Sequence, residues 1–189
     1  MSKSFNYLST ALAGLYLIEH NEISDNRGFF ERVFCAEEFK EINKSSQPVV
    51  QINHTLTKKK GTIRGMHFQY SPHAETKIVT CIQGEIFDVA VDIRKNSPTF
   101  LQWHAEILNG NNRRSLYIPD GFAHGFQTLT DNCQLLYFHS EPYTPKSEGA
   151  INVNDPKIAI QWPYKIVEIS EKDKNHPMID EKFIGVNVI

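Results

Sequence analysis

Residues 84–94 run Gly84-Glu85-Ile86-Phe87-Asp88-Val89-Ala90-Val91-Asp92-Ile93-Arg94. In an extended chain Phe87, Val89, Val91 and Ile93 share one face, and Asp88, Ala90 and Asp92 share the other. A period of two is the signature of a β-strand, whose successive side chains point to opposite faces. Outward from this stretch, runs rich in Val, Ile, Phe and Tyr predict further strands at 62–69, 77–83, 101–108, 115–118, 125–130 and 134–140, with this one at 85–93. Gln83-Gly84, Asn96-Ser97-Pro98, Asn109-Gly110-Asn111 and Pro119-Asp120-Gly121 supply the turns. Helix signals are few. Phe39 and Ile42 give 37–42 one apolar side, and Ser170 followed by acidic residues reads as a helix start. Many short strands at regular spacing predict an all-β fold, a sandwich or double-sheet jelly roll with a few short helices. Polar side chains that point inward on its strands are the candidates for a site.

Composition narrows the function. The 189 residues are 40% hydrophobic and 22% charged, an ordinary globular balance. Twenty basic against 22 acidic residues leave a net charge of -2, so affinity for nucleic acid through net charge is not expected. Three cysteines without a CxxC pair point to a reducing compartment. The apolar run 11–18 is too short to span a bilayer, and Glu19-His20 follows where a signal peptide would need small residues. It predicts a first buried strand. A cytoplasmic protein without a membrane partner is expected.

The strand 62–69 reads Thr-Ile-Arg-Gly-Met-His-Phe-Gln. Strict alternation puts Ile63, Gly65, His67 and Gln69 on one face, and Arg64, Met66 and Phe68 on the other. Arg64 and His67 are costly in a core without partners, and a strand glycine often marks a close approach of a ligand or another backbone. A lone histidine is more often a satisfied structural group, but Gly65 weakens that reading of His67. Lys77, His124, Tyr137, Tyr143 and Asp173 each have an ordinary structural explanation when taken singly. A metal-binding jelly roll usually offers two histidines two apart on one strand. Here the strand offers His67-Phe68-Gln69, so no metal is expected.

Several stretches together carry a resemblance: Asp25-Asn26-Arg27-Gly28-Phe29-Phe30-Glu31, Ile63-Arg64-Gly65-Met66-His67-Phe68-Gln69, the 84–94 run, Ser97-Pro98-Thr99-Phe100, and Ile118-Pro119-Asp120-Gly121-Phe122-Ala123-His124-Gly125-Phe126. The chain resembles the dTDP-4-dehydrorhamnose 3,5-epimerases, cofactor-free and metal-free jelly rolls of the cupin class (double-stranded β-helix). The likeness implies one domain over 1–189, with a core at about 11–163 and a C-terminal helical segment at about 164–189. It implies an isomerase that inverts C3 and C5 of a nucleotide-linked 4-keto-6-deoxy sugar through an enolate, in deoxysugar and surface polysaccharide biosynthesis. Family roles fall on His67 as base, Asp173 as its partner acid, Tyr137 as proton donor and Lys77 beside the reacting carbonyl. Substrate contacts fall on Arg27, Glu31, Gln51, Asn53, Arg64, His124 and Tyr143. A homodimer with exchanged strands is implied as well. Phe138, Thr80 and Val153 depart from the family pattern where cationic or tryptophan side chains are usual. They leave open a GDP- or CDP-linked sugar, a heptose, or inversion at one carbon only. A metal-dependent cupin and a non-catalytic sugar-binding jelly roll are the alternatives from other classes.

Overall fold

Alternating strands are realised as two antiparallel sheets that face each other, the jelly roll of the two arrangements, sandwich or jelly roll, that the strand spacing predicts. The computed structural model of the protein describes residues 3–43 and 47–188. Among these, thirteen strands and two short α-helices form: β1 (Phe5–Ser9), β2 (Tyr16–His20), β3 (Ile23–Asp25), β4 (Gly28–Phe30), α1 (Ala36–Phe39), β5 (Gln51–Thr57), β6 (Ile63–Gln69), β7 (Lys77–Gln83), β8 (Glu85–Asp92), β9 (Trp103–Asn109), β10 (Arg114–Ile118), β11 (Phe122–Thr128), β12 (Cys133–His139), β13 (Glu148–Ala150) and α2 (Glu171–Lys174). One sheet runs β1-β2-β10-β7-β12-β5 and the other β13-β6-β11-β8-β9, while β3 and β4 make a separate hairpin.

Three apolar clusters define the layers. Between the sheets lie Val79, Cys81, Leu116, Ile118 and Leu135 from one side and Ile86, Ala90, Leu108, Phe122 and Phe126 from the other. The outer face of the five-stranded sheet buries Ile63, Met66, Phe68, Val89, Val91 and Ile93 under Ile151, Val153, Ile158, Ile179 and Val186 of the C-terminal stretch. The outer face of the six-stranded sheet buries Ile78, Tyr117 and Phe138 under Phe39 and Ile42. Each fully buried Val, Leu, Ile, Phe or Met side chain among these contributes about 1.5–3 kcal/mol by leaving water.

This layering decides which face of β8 points inward. Val89 and Val91 pack outward beneath the C-terminal stretch. Ile86 and Ala90 face the interior, and Asp88 between them is fully buried. Both faces of the strand are covered, so the polar face is the one aimed into the barrel.

Two expectations need correcting. The run 11–18 is a turn before it is a strand: Gly14 takes φ +89, a left-handed conformation that favours glycine, and β2 starts only at Tyr16. Leu12 and Leu15 then plug the end of the interior. The C-terminal stretch 164–189 is expected to be helical; its described residues 164–188 carry one four-residue helix and are otherwise extended or turn-like over the outer sheet. Its apolar residues are spaced to cover a sheet, and they do not follow a helical period. The start of α2 is as read from the sequence, with Ser170 Oγ accepting from the Asp173 backbone N–H at 3.0 Å.

Candidate active site

Strict alternation fails at Gly65, and that failure builds the site. Gly65 has φ +133, and the pairing of β6 with β11 slips between His124 and Phe126. The bulge returns Arg64 and His67, three apart, to the same cavity, while Met66 and Phe68 pack outward with Ile63. Two glycines make this possible. A Cβ on Gly65 would lie 2.5 Å from Gly125 Cα, so the two strands meet where neither carries a side chain.

The cavity, about 680 Å³, opens between the sheets. His67 and His124 pair across β6 and β11 on the five-stranded wall. Lys77, Tyr137, His139 and Asn53 line the six-stranded wall. There Tyr137 pairs with Asn53 across β12 and β5, and His139 pairs with Lys77 across β12 and β7. Asp173 reaches the cavity from α2. It is brought there by the C-terminal stretch, where the Ile63 N–H donates to Glu168 O at 2.9 Å, and Asn152 Nδ2 donates to Lys174 O and His176 O.

Each histidine on the cavity wall has a carboxylate. His67 Nε2 lies 2.8 Å from Asp173 Oδ1, His124 Nε2 lies 2.8 Å from Asp88 Oδ1, and His139 Nδ1 lies 2.7 Å from Glu75 Oε2. An ionised carboxylate only accepts, so these nitrogens carry the hydrogens. The free lone pair of neutral His67 is therefore on Nδ1. Burial works against ionisation of Asp173. The hydrogen bond and charge of His67, the Gly65 N–H and His176 outweigh it and hold the carboxyl below its usual range. Burial likewise opposes Glu75, which the charge of Lys77 and the bond from His139 keep low. Lys77 Nζ sits 3.0 Å from Glu75 Oε1. Tyr137 goes the other way. Burial raises its phenol, and the nearby charge of Asp88 raises it further, so it stays protonated at neutral pH.

The cavity therefore gathers His67, Tyr137, Asp173, Lys77, His124, Asn53 and Arg64. Gln51 and Tyr143 do not line it; they form its rim, where Gln51 Oε1 accepts from the Tyr143 N–H at 3.2 Å and Tyr143 donates to the cavity residue Glu148 at 2.9 Å. Arg27 is on the exposed hairpin, bonded to Asp25, and Glu31 is turned towards His20 at 3.7 Å; neither reaches the cavity of its own chain. Sequence reasoning missed Asp88, Glu75 and His139. Asp88 had a signal, a carboxylate between apolar neighbours on a covered strand. Glu75 lies in a loop with nothing around it to mark it.

His67, Asp173 and His176 also place one ligand-type atom each within 4.8 Å of one another. Both rings direct their facing nitrogen to Asp173 Oδ1, at 2.8 Å from His67 and 3.2 Å from His176.

Comparison with known proteins adds three findings. The family model for dTDP-4-dehydrorhamnose 3,5-epimerase matches residues 9–181. The dTDP-4-dehydrorhamnose 3,5-epimerase of Salmonella typhimurium is 43% identical over 178 residues, 94% of this chain and 97% of that protein, and its Methanothermobacter thermautotrophicus counterpart is 42% identical over 90% and 92%. Among solved structures, the dTDP-6-deoxy-D-glucose-3,5-epimerase of Legionella pneumophila, in complex with dTDP-4-keto-L-rhamnose, superposes with a TM-score of 0.90 at 39% identity, covering 98% of this chain and all of that one. A 3'-monoepimerase from Streptomyces bikiniensis, in complex with dTDP-quinovose, gives 0.83 at 32% identity over 89% and 85%.

Proposed function

The chain belongs to the dTDP-4-dehydrorhamnose 3,5-epimerase family, and on that premise we propose a division of labour among its cavity residues. The protein is an epimerase, and its substrate is a nucleotide-linked sugar. The dTDP-linked 4-keto-6-deoxy hexose is the reading favoured here, because the relatives carry that activity and the Legionella structure holds such a sugar.

A C4 ketone acidifies the protons on C3 and C5. His67 Nδ1 takes the proton, and Asp173 stabilises the imidazolium that forms behind it. The electron pair moves to the C4 oxygen as an enolate. Lys77 and His124 flank the cavity with donors suited to that charge. Tyr137, on the facing wall, returns a proton to the opposite side of the ring. Arg64, with Lys58 and Lys172 on the same cavity, supplies cations for the diphosphate. The observation that carries this reading is the placement of His67 and Tyr137 on facing sheets, with a buried carboxylate behind the histidine. Inversion needs a base and an acid on opposite faces of one carbon, and two walls provide them.

The test is a panel of dTDP-, GDP- and CDP-linked 4-keto-6-deoxy sugars in D2O, read by NMR. Deuterium should enter both C3 and C5 of the dTDP sugar. Uptake at one carbon would make the protein a monoepimerase like the Streptomyces relative, and no uptake from any sugar would sink the reading. In the same assay Tyr137→Phe should still exchange deuterium while completed inversion falls by about 10²-fold or more.

The active form proposed is a homodimer. β5 is a sheet edge with Val50, Ile52 and Leu56 exposed on or beside it, and the β3–β4 hairpin exposes Ile23, Phe29 and Phe30. Such unpaired edges and apolar patches favour association. Arg27 does not reach the cavity of its own chain, and its exposed hairpin leaves it available to a second copy. Sedimentation should give twice the 21.7 kDa chain mass, and Ile52→Lys should shift the protein towards monomer and raise KM; a fully active wild-type monomer would refute the idea. Free thiols at Cys35, Cys81 and Cys133 support a reducing, cytoplasmic location, and no helix among the described residues is long and apolar enough to cross a membrane.

A further inference from the structure

Asp173 serves two histidines. Its Oδ1 lies 2.8 Å from His67 Nε2 and 3.2 Å from His176 Nε2, and its Oδ2 accepts from the Gly65 N–H at 3.3 Å. The two rings meet edge to face with centroids 5.6 Å apart. His176 does not line the cavity, and its side chain is 11% exposed. It is held from behind, because Asn152 Nδ2 donates to its carbonyl at 3.0 Å and the Asn152 N–H donates to Pro177 O at 3.1 Å. A half-buried, anchored imidazole thus points at the one oxygen on which the proposed base depends.

We propose that His176 is a positioning residue for proton abstraction: it locks the Asp173 carboxylate against His67 and, by sharing Oδ1, limits how strongly that oxygen stabilises a protonated His67. The proposal rests on the assignment of His67 as the base. Two physical effects follow. With Gly65 on one oxygen and two rings on the other, the carboxylate cannot rotate, so the orientation of His67 is fixed before substrate arrives. An oxygen that already accepts one N–H is a weaker acceptor for a second. Removing His176 therefore loosens Asp173 and, in those molecules where the His67 bond survives, strengthens it. The first effect lowers kcat. The second favours the imidazolium, so the acid limb of the rate profile moves to higher pH.

Other ionisable groups face this pair, and all remain in the variants. They are Glu148 of β13, whose charge acts on His67; Lys172 of α2, bound to Glu148 at 2.7 Å; Lys77 of β7, whose Nζ is 3.5 Å from His67 O; His124 of β11, opposite His67 in register; and Arg64 on β6 itself. Since none is altered, a shift of the acid limb reports on His176.

The experiment compares full-length wild type, His176→Ala and His176→Gln. Deuterium exchange is measured against pH, and the ring signals of His67 are followed by NMR in 15N-histidine protein, assigned by their loss in His67→Asn. In the alanine variant kcat should fall about tenfold with KM little changed, and both the acid limb and the His67 ring transition should move up by about half a pH unit. Glutamine keeps an N–H donor and should recover most of kcat. A folded alanine variant whose limb and ring transition stay in place would overturn the proposal, even with reduced kcat, because that would be a structural effect alone. A glutamine variant no better than alanine would overturn it too. The ring signals need no sugar, so their failure to move is distinct from inactivity on the substrates tried.

Discussion

His67→Asn should abolish deuterium uptake at C3 and C5 together, a loss on the order of 10³-fold or more in exchange rate. The asparagine amide reaches only as far as the ring's Nδ1 position, so Asp173 loses the bond to Nε2 but keeps those from His176 and the Gly65 N–H, and the fold should survive. What is lost is the basic nitrogen. An amide has no lone pair basic enough to take a carbon-bound proton at neutral pH, even one acidified by a ketone. Both carbons should fail at once, since one base serves both when the ring presents C3 and C5 in turn. Urea denaturation and circular dichroism would establish that the variant is folded. Retained exchange at either carbon in that folded protein would remove His67 from the role.

Asp173→Asn should be nearly as damaging, with kcat down on the order of 10³–10⁴-fold and KM little changed. The carboxylate lies behind the imidazole and faces it through Nε2. An amide in its place can turn its NH2 towards Nε2, which forces the hydrogen onto Nδ1 and caps the atom that has to accept a proton. It also withdraws the negative charge that stabilises the imidazolium. Stability changes in a defined direction. The folded carboxyl titrates below its ordinary value, so ionised Asp173 stabilises the fold at neutral pH, and that contribution is lost as pH falls through the folded titration. The variant should therefore be less stable than wild type at pH 7, with the gap closing in acid. Unchanged kcat in Asp173→Asn would refute the dyad.

The sequence made the strands from β6 to β12 legible because their alternation is local, and their ends fall within a few residues of the expected ones. β5 was not legible. Ile52 and His54 on its outward face are exposed in the single chain, and Asn53, Thr55 and Thr57 on its inward face are polar and line the cavity, so it lacks the apolar face by which strands are recognised. Within the site, His67, Tyr137, Lys77 and His124 were found through motifs that resemble a family. Asp173 was placed on weaker similarity, and the structure brings it to His67. The carboxylates of Asp88 and Glu75 were passed over. Their function lies in a histidine that is 36 residues away for one and 64 for the other, and no local pattern links them.

By itself the sequence determined an all-β fold of sandwich or jelly-roll type and a set of polar side chains unsuited to an ordinary core. Those depend on a residue and its near neighbours, through alternation, turn chemistry and the cost of burying charge. Tertiary structure alone decided which face of β8 points inward, how the Gly65 bulge brings Arg64 and His67 to one cavity, and that Asp173 and His176 converge on one oxygen. Each of these is set by a contact with another sheet or with the C-terminal stretch. Strand pairing and layer packing choose among faces that local alternation leaves equivalent, and that choice depends on segments about a hundred residues apart in the chain.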